Sequence, residues 1–156
     1  MKTPPEKLDA GGLRIALLVG RFNAFVTSKL LAGAKETLLK HGATAGELTE
    51  IWTPGAWELP LAAKALAESG KYDGIVCLGC VIRGETTHHI HIGGEAARGL
   101  ADIALQTGIP IGFGVLTTEM VQHAIDRAGG SAGNKGADTA LAVIEMVNLL
   151  REIRGR

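Results

Sequence analysis

The hydrophobic and polar residues of this chain follow two patterns, short apolar runs and longer stretches with helical spacing. The runs predict strands at residues 13–19, 48–53, 74–82 and 110–116. The third run is apolar throughout, which is typical of a strand buried on both faces. Helices are predicted at 24–41, at 57–69, at 119–128 and up to Ile153. The histidines that follow residue 87 are predicted to open a further helix, whose body is residues 95–105. Strands that alternate with helices predict an α/β fold, with a parallel sheet covered on both faces.

The first predicted helix has a clear beginning, end and apolar face. Asn23 stands where its side chain can cap the amino end, and Gly42 stands where the helix can stop. The apolar face is predicted to consist of Phe25, Leu30, Leu31, Ala34 and Leu38.

Two segments have no periodicity. Residues 1–12 hold two prolines and two glycines and are predicted to form an N-terminal arm of a single domain that spans residues 1–156. Residues 129–136 are predicted to be a loop, either a flexible connector or, because Arg127 and Lys135 flank it, an anion-binding segment. The strands are few and leave exposed sheet edges, which together with the arm favour self-association.

Composition excludes several classes of function. The chain has 16 basic and 16 acidic residues and a formal net charge of zero, so neither a global nor a local basic surface indicates nucleic-acid binding. No apolar stretch is long enough to cross a membrane. The polar start of the chain lacks the apolar segment of a signal peptide, so we expect a cytoplasmic protein.

The two cysteines, Cys77 and Cys80, lie inside the third predicted strand. Residues three apart in a strand point to opposite faces, so this pair can neither share a metal ion nor close a disulfide. We therefore predict that both are buried as small hydrophobic residues.

Unusual residues gather where the predicted strands end. They are Arg21, Phe22 and Asn23 after the first strand, residues 54–58 after the second, residues 83–88 after the third, and residues 116–118 after the fourth. Ligands of such sheets bind beyond the carboxyl ends of the strands. The aromatic residues of the first two turns predict a slot for a flat ring, and the third turn offers hydroxyls and backbone amides to a phosphate.

Several ordered motifs make the chain resemble the lumazine synthase family over nearly its whole length. They are Gly-Arg-Phe-Asn at 20–23, Pro-Gly-Ala-Trp-Glu-Leu-Pro at 54–60, Gly-Cys-Val-Ile-Arg-Gly-Glu-Thr-Thr-His at 79–88, Gly-Glu-Ala-Ala-Arg-Gly-Leu at 94–100, Phe-Gly-Val-Leu-Thr at 113–117, Asp-Arg-Ala-Gly at 126–129 and Ala-Gly-Asn-Lys-Gly at 132–136. The resemblance implies a three-layer α/β sandwich with a four-stranded parallel sheet in the flavodoxin-like order 2-1-3-4. It also implies condensation of 5-amino-6-(ribitylamino)uracil with 3,4-dihydroxy-2-butanone 4-phosphate, which releases phosphate and water and needs no metal or organic cofactor.

The resemblance assigns a role to each motif residue. It makes His88 the proton-transfer residue and gives Arg127 a place at the phosphate, as catalytic residues. It implies substrate contacts for Phe22, Ala56, Trp57, Glu58, Val81, Ile82, Glu85, Thr86, Phe113 and Lys135. Of these residues, Phe113, Arg127 and Lys135 would come from the neighbouring subunit of a pentamer. Members of the family remain pentamers or decamers, or close twelve pentamers into an icosahedral shell, and the sequence leaves these assemblies open.

Residues 89–91 depart from the family pattern. His89, Ile90 and His91 stand where members usually have an aromatic residue, an aspartate and a tyrosine, and Ser131 stands where a lysine is frequent. On a helix, His88, His91 and Glu95 would lie near one face, with His89 about 100° away, so they form an alternative ligand set for a metal ion. Ile90 and Ile92 are expected to pack.

Three interpretations of function therefore remain open at the level of sequence. The first is an active lumazine synthase. The second is a shell or scaffold protein on the same fold, catalytically weakened by divergence or engineering and with a possible metal site at His88, His91 and Glu95. The third is a flavin or lumazine binder without turnover.

Overall fold

A computed structural model describes residues 1–155 of the chain. Its strands are β1 (Ile15–Gly20), β2 (Leu48–Thr53), β3 (Gly74–Ile82), β4 (Ile111–Thr118), β5 (Ala128–Gly130) and β6 (Gly133–Asn134). Its α-helices are α1 (Ala24–Lys40), α2 (Leu59–Glu68), α3 (His88–Thr107), α4 (Val121–Asp126) and α5 (Lys135–Ile153). Strands and helices alternate along the first four strands, as the sequence predicts.

The main sheet has four strands in the order β2-β1-β3-β4, and every neighbouring pair is parallel. This confirms the predicted order. The two central strands are buried along nearly their whole length, whereas β2 is an edge strand with several exposed positions. The uninterrupted apolar run at 74–82 therefore corresponds to a strand covered on both faces.

Alternate residues of the central strands supply two separate cores. In β1, Ile15, Leu17 and Val19 pack into one core with residues of α1 and α5, while Ala16 and Leu18 pack into the other with residues of α2 and α3. The period of two in a strand produces this division, because neighbouring side chains point to opposite faces. The three-layer α/β arrangement is thereby confirmed.

The cysteines follow the same division. Both are free and buried, Cys77 in the core beneath α2 and α3 and Cys80 in the core beneath α1 and α5. Burial raises the pKa of the Cys80 thiol to about 12 and raises the pKa of Cys77 as well. Both are therefore inert core residues, as predicted.

The first helix differs from its prediction at its amino end. Phe25 is exposed, and the buried face runs through Val26, Leu30, Ala34 and Leu38, which are spaced by four residues. Asn23 occupies the N-cap position in the left-handed conformation with φ of 61°, but its side-chain amide donates to the carbonyl oxygen of Cys80 at 2.9 Å instead of capping. The asparagine thus ties the turn after β1 to β3.

Three other element boundaries differ from the sequence prediction. A 3-10 turn at Ala56–Glu58 precedes α2, α4 is shorter than the predicted helix 119–128, and residues 128–134 form the hairpin β5–β6 where a loop was predicted. Gly129 and Gly133 have φ of 99° and 83°, a conformation open to glycine, and they allow the chain to reverse there.

The predicted arm is shorter than 12 residues. Asn148 of α5 donates to the carbonyl oxygens of Lys7 (3.3 Å) and Asp9 (2.9 Å), and the backbone N–H of Ala10 donates to His41. Ala10 is buried in the core beneath α1 and α5. Residues 7–12 therefore lie against the body of the same chain. Within residues 1–155, the structure has no helix long and apolar enough to cross a membrane.

Candidate active site

A cavity of about 560 Å³ opens where β1, β2 and β3 end. It lies beside the point at which the order of the strands reverses, between β1 and β3, which is where α/β sheets hold their ligands. Its lining consists of Phe22, Pro54, Gly55, Ala56, Trp57, Glu58, Cys80, Val81, Ile82, Gly84, Thr86, His88, His89 and Ile92. Eight of the sequence-predicted site residues are therefore brought together in one place.

Backbone hydrogen bonds hold the turns around this cavity in fixed relation. Arg21 N donates to Thr53 O at 2.8 Å, and Phe22 N donates to Pro54 O at 2.9 Å, so the turns after β1 and β2 are joined. The Asn23 amide joins the first of these turns to β3. The walls of the cavity are thus supported by the sheet itself and not by mobile loops.

Two aromatic side chains stand at the cavity with large exposed surfaces. Phe22 is 72% exposed and Trp57 is 58% exposed, although residues of this size usually bury most of their surface. The same cavity is lined by the small Ala56 and the aliphatic Val81 and Ile82. Exposed rings with an apolar floor form a slot suited to stacking on a flat heterocycle.

Glu58 supplies the carboxylate of the cavity. It closes the 3-10 turn before α2 and is half-buried. Its Oε2 is buried and has no hydrogen-bond partner among residues 1–155. Buried polar atoms are normally paired, so this oxygen is an acceptor suited to a ligand hydroxyl or N–H group.

The amino end of α3 forms the other end of the cavity. Gly84 and Thr86 line it, and the Thr86 hydroxyl accepts a hydrogen bond from the backbone N–H of His88 at 3.3 Å. The first turn of this 20-residue helix contains no acidic residue. Free backbone amides and the helix dipole favour an anion at such a place.

The two neighbouring histidines have different environments. His88 is exposed and lines the cavity, whereas His89 is buried, with 5% of its surface exposed. The His89 Nε2 lies 3.6 Å from Glu119 Oε1, and Glu119 Oε2 accepts a hydrogen bond of 2.8 Å from Arg83 Nη1. This hydrogen bond first, and then the charges of Arg83 and His89, lower the pKa of Glu119.

The burial of His89 in the core was not predicted from the sequence. The buried face of α3 consists of His89, Gly93, Ala96, Leu100 and Ile103, whose spacing of three and four residues indicates one helix face. Ile90, expected to pack, is exposed within the single chain. Counting the helical period back from Ile103 and Leu100 would have predicted that His89 is buried and that Ile90 is exposed.

The alternative metal site is not supported. Among residues 1–155, no group of three or more histidine, cysteine, aspartate or glutamate side chains is arranged to hold a metal ion. Glu95 binds Arg98 at 2.7 Å, and this contact holds the pKa of the Glu95 carboxyl below its usual value. His88, His91 and Glu95 therefore do not form a ligand set in this structure.

Four predicted site residues are absent from the cavity lining within the described part of the chain: Glu85, Phe113, Arg127 and Lys135. Glu85 is exposed on the turn beside the lining residues Gly84 and Thr86. Arg127 and Lys135 lie together, because Lys135 N donates to Arg127 O at 2.8 Å across the base of the β5–β6 hairpin. Phe113 is a β4 residue with 41% of its surface exposed. The fourth predicted turn, residues 116–118, does not contribute either.

A comparison with protein families agrees with the fold and the cavity. The family model described as 6,7-dimethyl-8-ribityllumazine synthase matches residues 12–151 of the chain. This match includes all four strands of the main sheet, helices α1 to α4, most of α5 and every residue of the cavity lining.

Proposed function

Because the chain belongs to the 6,7-dimethyl-8-ribityllumazine synthase family, we propose that it condenses 5-amino-6-(ribitylamino)uracil with 3,4-dihydroxy-2-butanone 4-phosphate and releases phosphate and water. The proposal rests on one observation above the others. The cavity combines an aromatic slot, an unpaired carboxylate oxygen, a helix amino end and an exposed histidine.

The aromatic end of the cavity suits the pyrimidine. Phe22 would stack on the ring, with Val81 and Ile82 as the floor of the slot. Ala56, Trp57 and Glu58 would contact the pyrimidine and the ribityl chain, and the unpaired Glu58 Oε2 supports this assignment because a ribityl hydroxyl can donate to it.

The amino end of α3 suits the phosphate of the second substrate. The Thr86 hydroxyl and the backbone amides of residues 85 and 86 would donate to its oxygens. The lack of an acidic residue in the first turn of α3 removes a repulsion that an anion would otherwise meet there.

His88 is the proposed proton-transfer residue. It is the first residue of α3, and its exposed side chain lines the same cavity as the aromatic residues and Thr86. Formation of an imine and elimination of phosphate both require protons to move near neutral pH, which an imidazole does well. Holding the two substrates side by side contributes in addition, and such positioning supplies roughly 7–11 kcal/mol in the best intramolecular cases.

We propose that Phe113, Arg127 and Lys135 complete the site of a neighbouring subunit. Two features support this: they lie outside the cavity of their own chain, and Arg127 and Lys135 are adjacent and exposed. A guanidinium grips a phosphate through two nitrogens and assists its departure. The assembly would be a pentamer, alone, paired or closed into a shell.

An assay of lumazine formation by the purified protein tests the proposed function. Purified protein is incubated with both substrates while lumazine fluorescence and inorganic phosphate are measured in parallel. We expect the product and phosphate to appear in equal amounts, and the rate to fall in a His88→Ala variant that has unchanged thermal stability. Absence of the product at high enzyme concentration would refute the proposal for this chain and favour a binding or scaffold role.

A further inference from the structure

The turn between β3 and α3 is held at both ends by one carboxylate. Arg83 is the residue that follows β3, His89 is the second residue of α3, and both contact Glu119, which follows β4. Arg83 N also donates to Thr118 O at 2.8 Å. Residues 84–88, between the two contacts, include Thr86 and His88 of the proposed phosphate and proton-transfer positions.

The two nitrogens of the His89 ring have different surroundings, and only Nε2 has a polar partner, which is Glu119, among residues 1–155. Its Nε2 lies 3.6 Å from Glu119 Oε1, a polar contact somewhat longer than a hydrogen bond. Its Nδ1 is buried and has no hydrogen-bond partner among residues 1–155. A phenyl ring could fill the same space without leaving a nitrogen unpaired, so the histidine is a costly choice for packing alone.

We propose that His89 is a positioning residue, whose ring Nε2 faces Glu119 Oε1 at 3.6 Å, and that this polar contact fixes the turn 84–87 and the backbone of His88 against β4. His89 also lines the cavity, but the role proposed for it acts through Glu119 and not through contact with substrate. This inference rests on the proposed function, since its consequence is correct placement of the phosphate-binding amides and of the catalytic ring.

The inference predicts an effect on one substrate and not on the other. The turn 84–87 belongs to the phosphate end of the cavity, whereas the pyrimidine slot is built on other turns. In His89→Phe, we expect kcat to fall about tenfold and the KM for dihydroxybutanone phosphate to rise, with the KM for the pyrimidine unchanged. Replacement of a residue needed only for folding would not raise the KM for one substrate while leaving the KM for the other unchanged.

Amide variants at residue 89 separate the packing of the side chain from its polar contact with Glu119. In His89→Gln the amide nitrogen reaches the position of the histidine Nε2, so we expect kcat to return to within about threefold of the original. In His89→Asn the shorter amide reaches only the position of Nδ1, and no rescue is expected. Glu119→Ala removes the contacts to both Arg83 and His89, so it should be at least as impaired as His89→Phe, and the double variant should be no worse than Glu119→Ala. Glu95→Ala, which removes an exposed ion pair from the same helix, is the matched control and should have no effect.

Hydrogen–deuterium exchange provides a measurement independent of activity. On the full assembly, the amides of residues 83–90 should exchange faster in His89→Phe and Glu119→Ala than in the original protein, His89→Gln or Glu95→Ala. Unchanged exchange in the first two variants would overturn the inference, and so would faster exchange with unaltered kinetic constants. A wild-type protein without synthase activity would reject the proposed function alone, and the exchange rates would then decide the inference.

Discussion

At the scale of single residues, the motifs indicated which side chains to expect around the ends of the strands. Phe22, Trp57, Glu58 and His88 were expected at strand ends, and the structure brings them to one cavity. The roles of single side chains were less accessible to prediction. Asn23 was expected to cap α1 but binds the Cys80 carbonyl, because its left-handed backbone turns the amide towards β3.

Replacement of His88 by alanine tests how much of the rate depends on proton transfer. General acid–base catalysis contributes about 10²- to 10⁴-fold, and we expect a loss near 10²-fold in kcat because substrate positioning is retained. Lumazine formation under saturating substrates is the measurement. Complete loss of activity in a folded variant would show that His88 does more than move protons.

Replacement of Glu58 by glutamine should separate stability from activity. The unpaired Oε2 of Glu58 is buried, so removal of its negative charge should raise the free energy of unfolding by about 1 kcal/mol. The same change should raise the KM for the pyrimidine substrate about tenfold, because a charged acceptor of a hydrogen bond is lost. Urea unfolding and steady-state kinetics at one protein concentration measure the two effects. A lower free energy of unfolding or an unchanged KM would contradict the interpretation of Glu58 Oε2 as a buried, unpaired acceptor for the substrate.

At the scale of elements, the strands were predicted more accurately than the helices. The bounds of β2 and β3 match the prediction, because apolar runs between turn residues mark a buried strand clearly. Helix starts are set by tertiary contacts as well as by sequence. Pro60 lies in the first turn of α2, preceded by a 3-10 turn, and α1 buries Val26 where Phe25 was expected.

The contact between α1 and α5 depends on the absence of a side chain at Gly136. A Cβ atom there would clash with the backbone oxygen of Leu30, which cannot move without shifting α1. We expect Gly136→Ala to lower the free energy of unfolding by about 3 kcal/mol. The control is Gly94→Ala in α3, where a Cβ would meet no atom within 4 Å and should raise stability by about 0.5–1 kcal/mol. Equal unfolding midpoints for the two variants would contradict the packing of α1 on α5.

At the scale of the whole molecule, the sheet order and the three layers follow from strand–helix alternation and the family motifs. The division into two cores follows from the period of two along each central strand. A single sequence does not indicate which surface residues face another copy of the chain. Phe113, Arg127 and Lys135 lie outside the cavity lining among the described residues, and contacts within one chain do not determine whether another copy meets them.

At the amino ends of the strands, opposite the cavity, an ion-pair network contributes stability that depends on pH. Asp73 precedes β3; it accepts from the backbone N–H of Arg14 at 2.8 Å and contacts the guanidinium groups of Arg14 and Arg151. Burial alone would raise the pKa of Asp73, but these hydrogen bonds and charges outweigh it and lower the pKa. Its contribution to stability is therefore present above the ordinary carboxyl pKa of about 4 and is lost as pH falls through the lower folded value.

The Asp73→Asn variant tests this dependence. We expect a loss of about 2 kcal/mol in the free energy of unfolding near neutral pH, where the charged partners bind the carboxylate. The difference between the two proteins should shrink as the pH falls below about 4. Urea unfolding across that range is the measurement, and a difference that stays constant with pH would mean that the charge of Asp73 is unimportant.

Mixed assemblies test whether each site is shared between neighbouring subunits. We expect His88→Ala and Arg127→Ala to be poorly active as separate proteins, because each removes one half of every site. When the two variants are co-expressed with different tags and the mixed oligomers are isolated, some cavities with an intact His88 will adjoin a subunit with an intact Arg127. In a ring with one donor per site and random mixing, about one quarter of the sites are restored. Activity should therefore rise far above that of either variant. If Arg127 instead served the cavity of its own chain, no intact site would form, and the mixture would show only the average of the two parents.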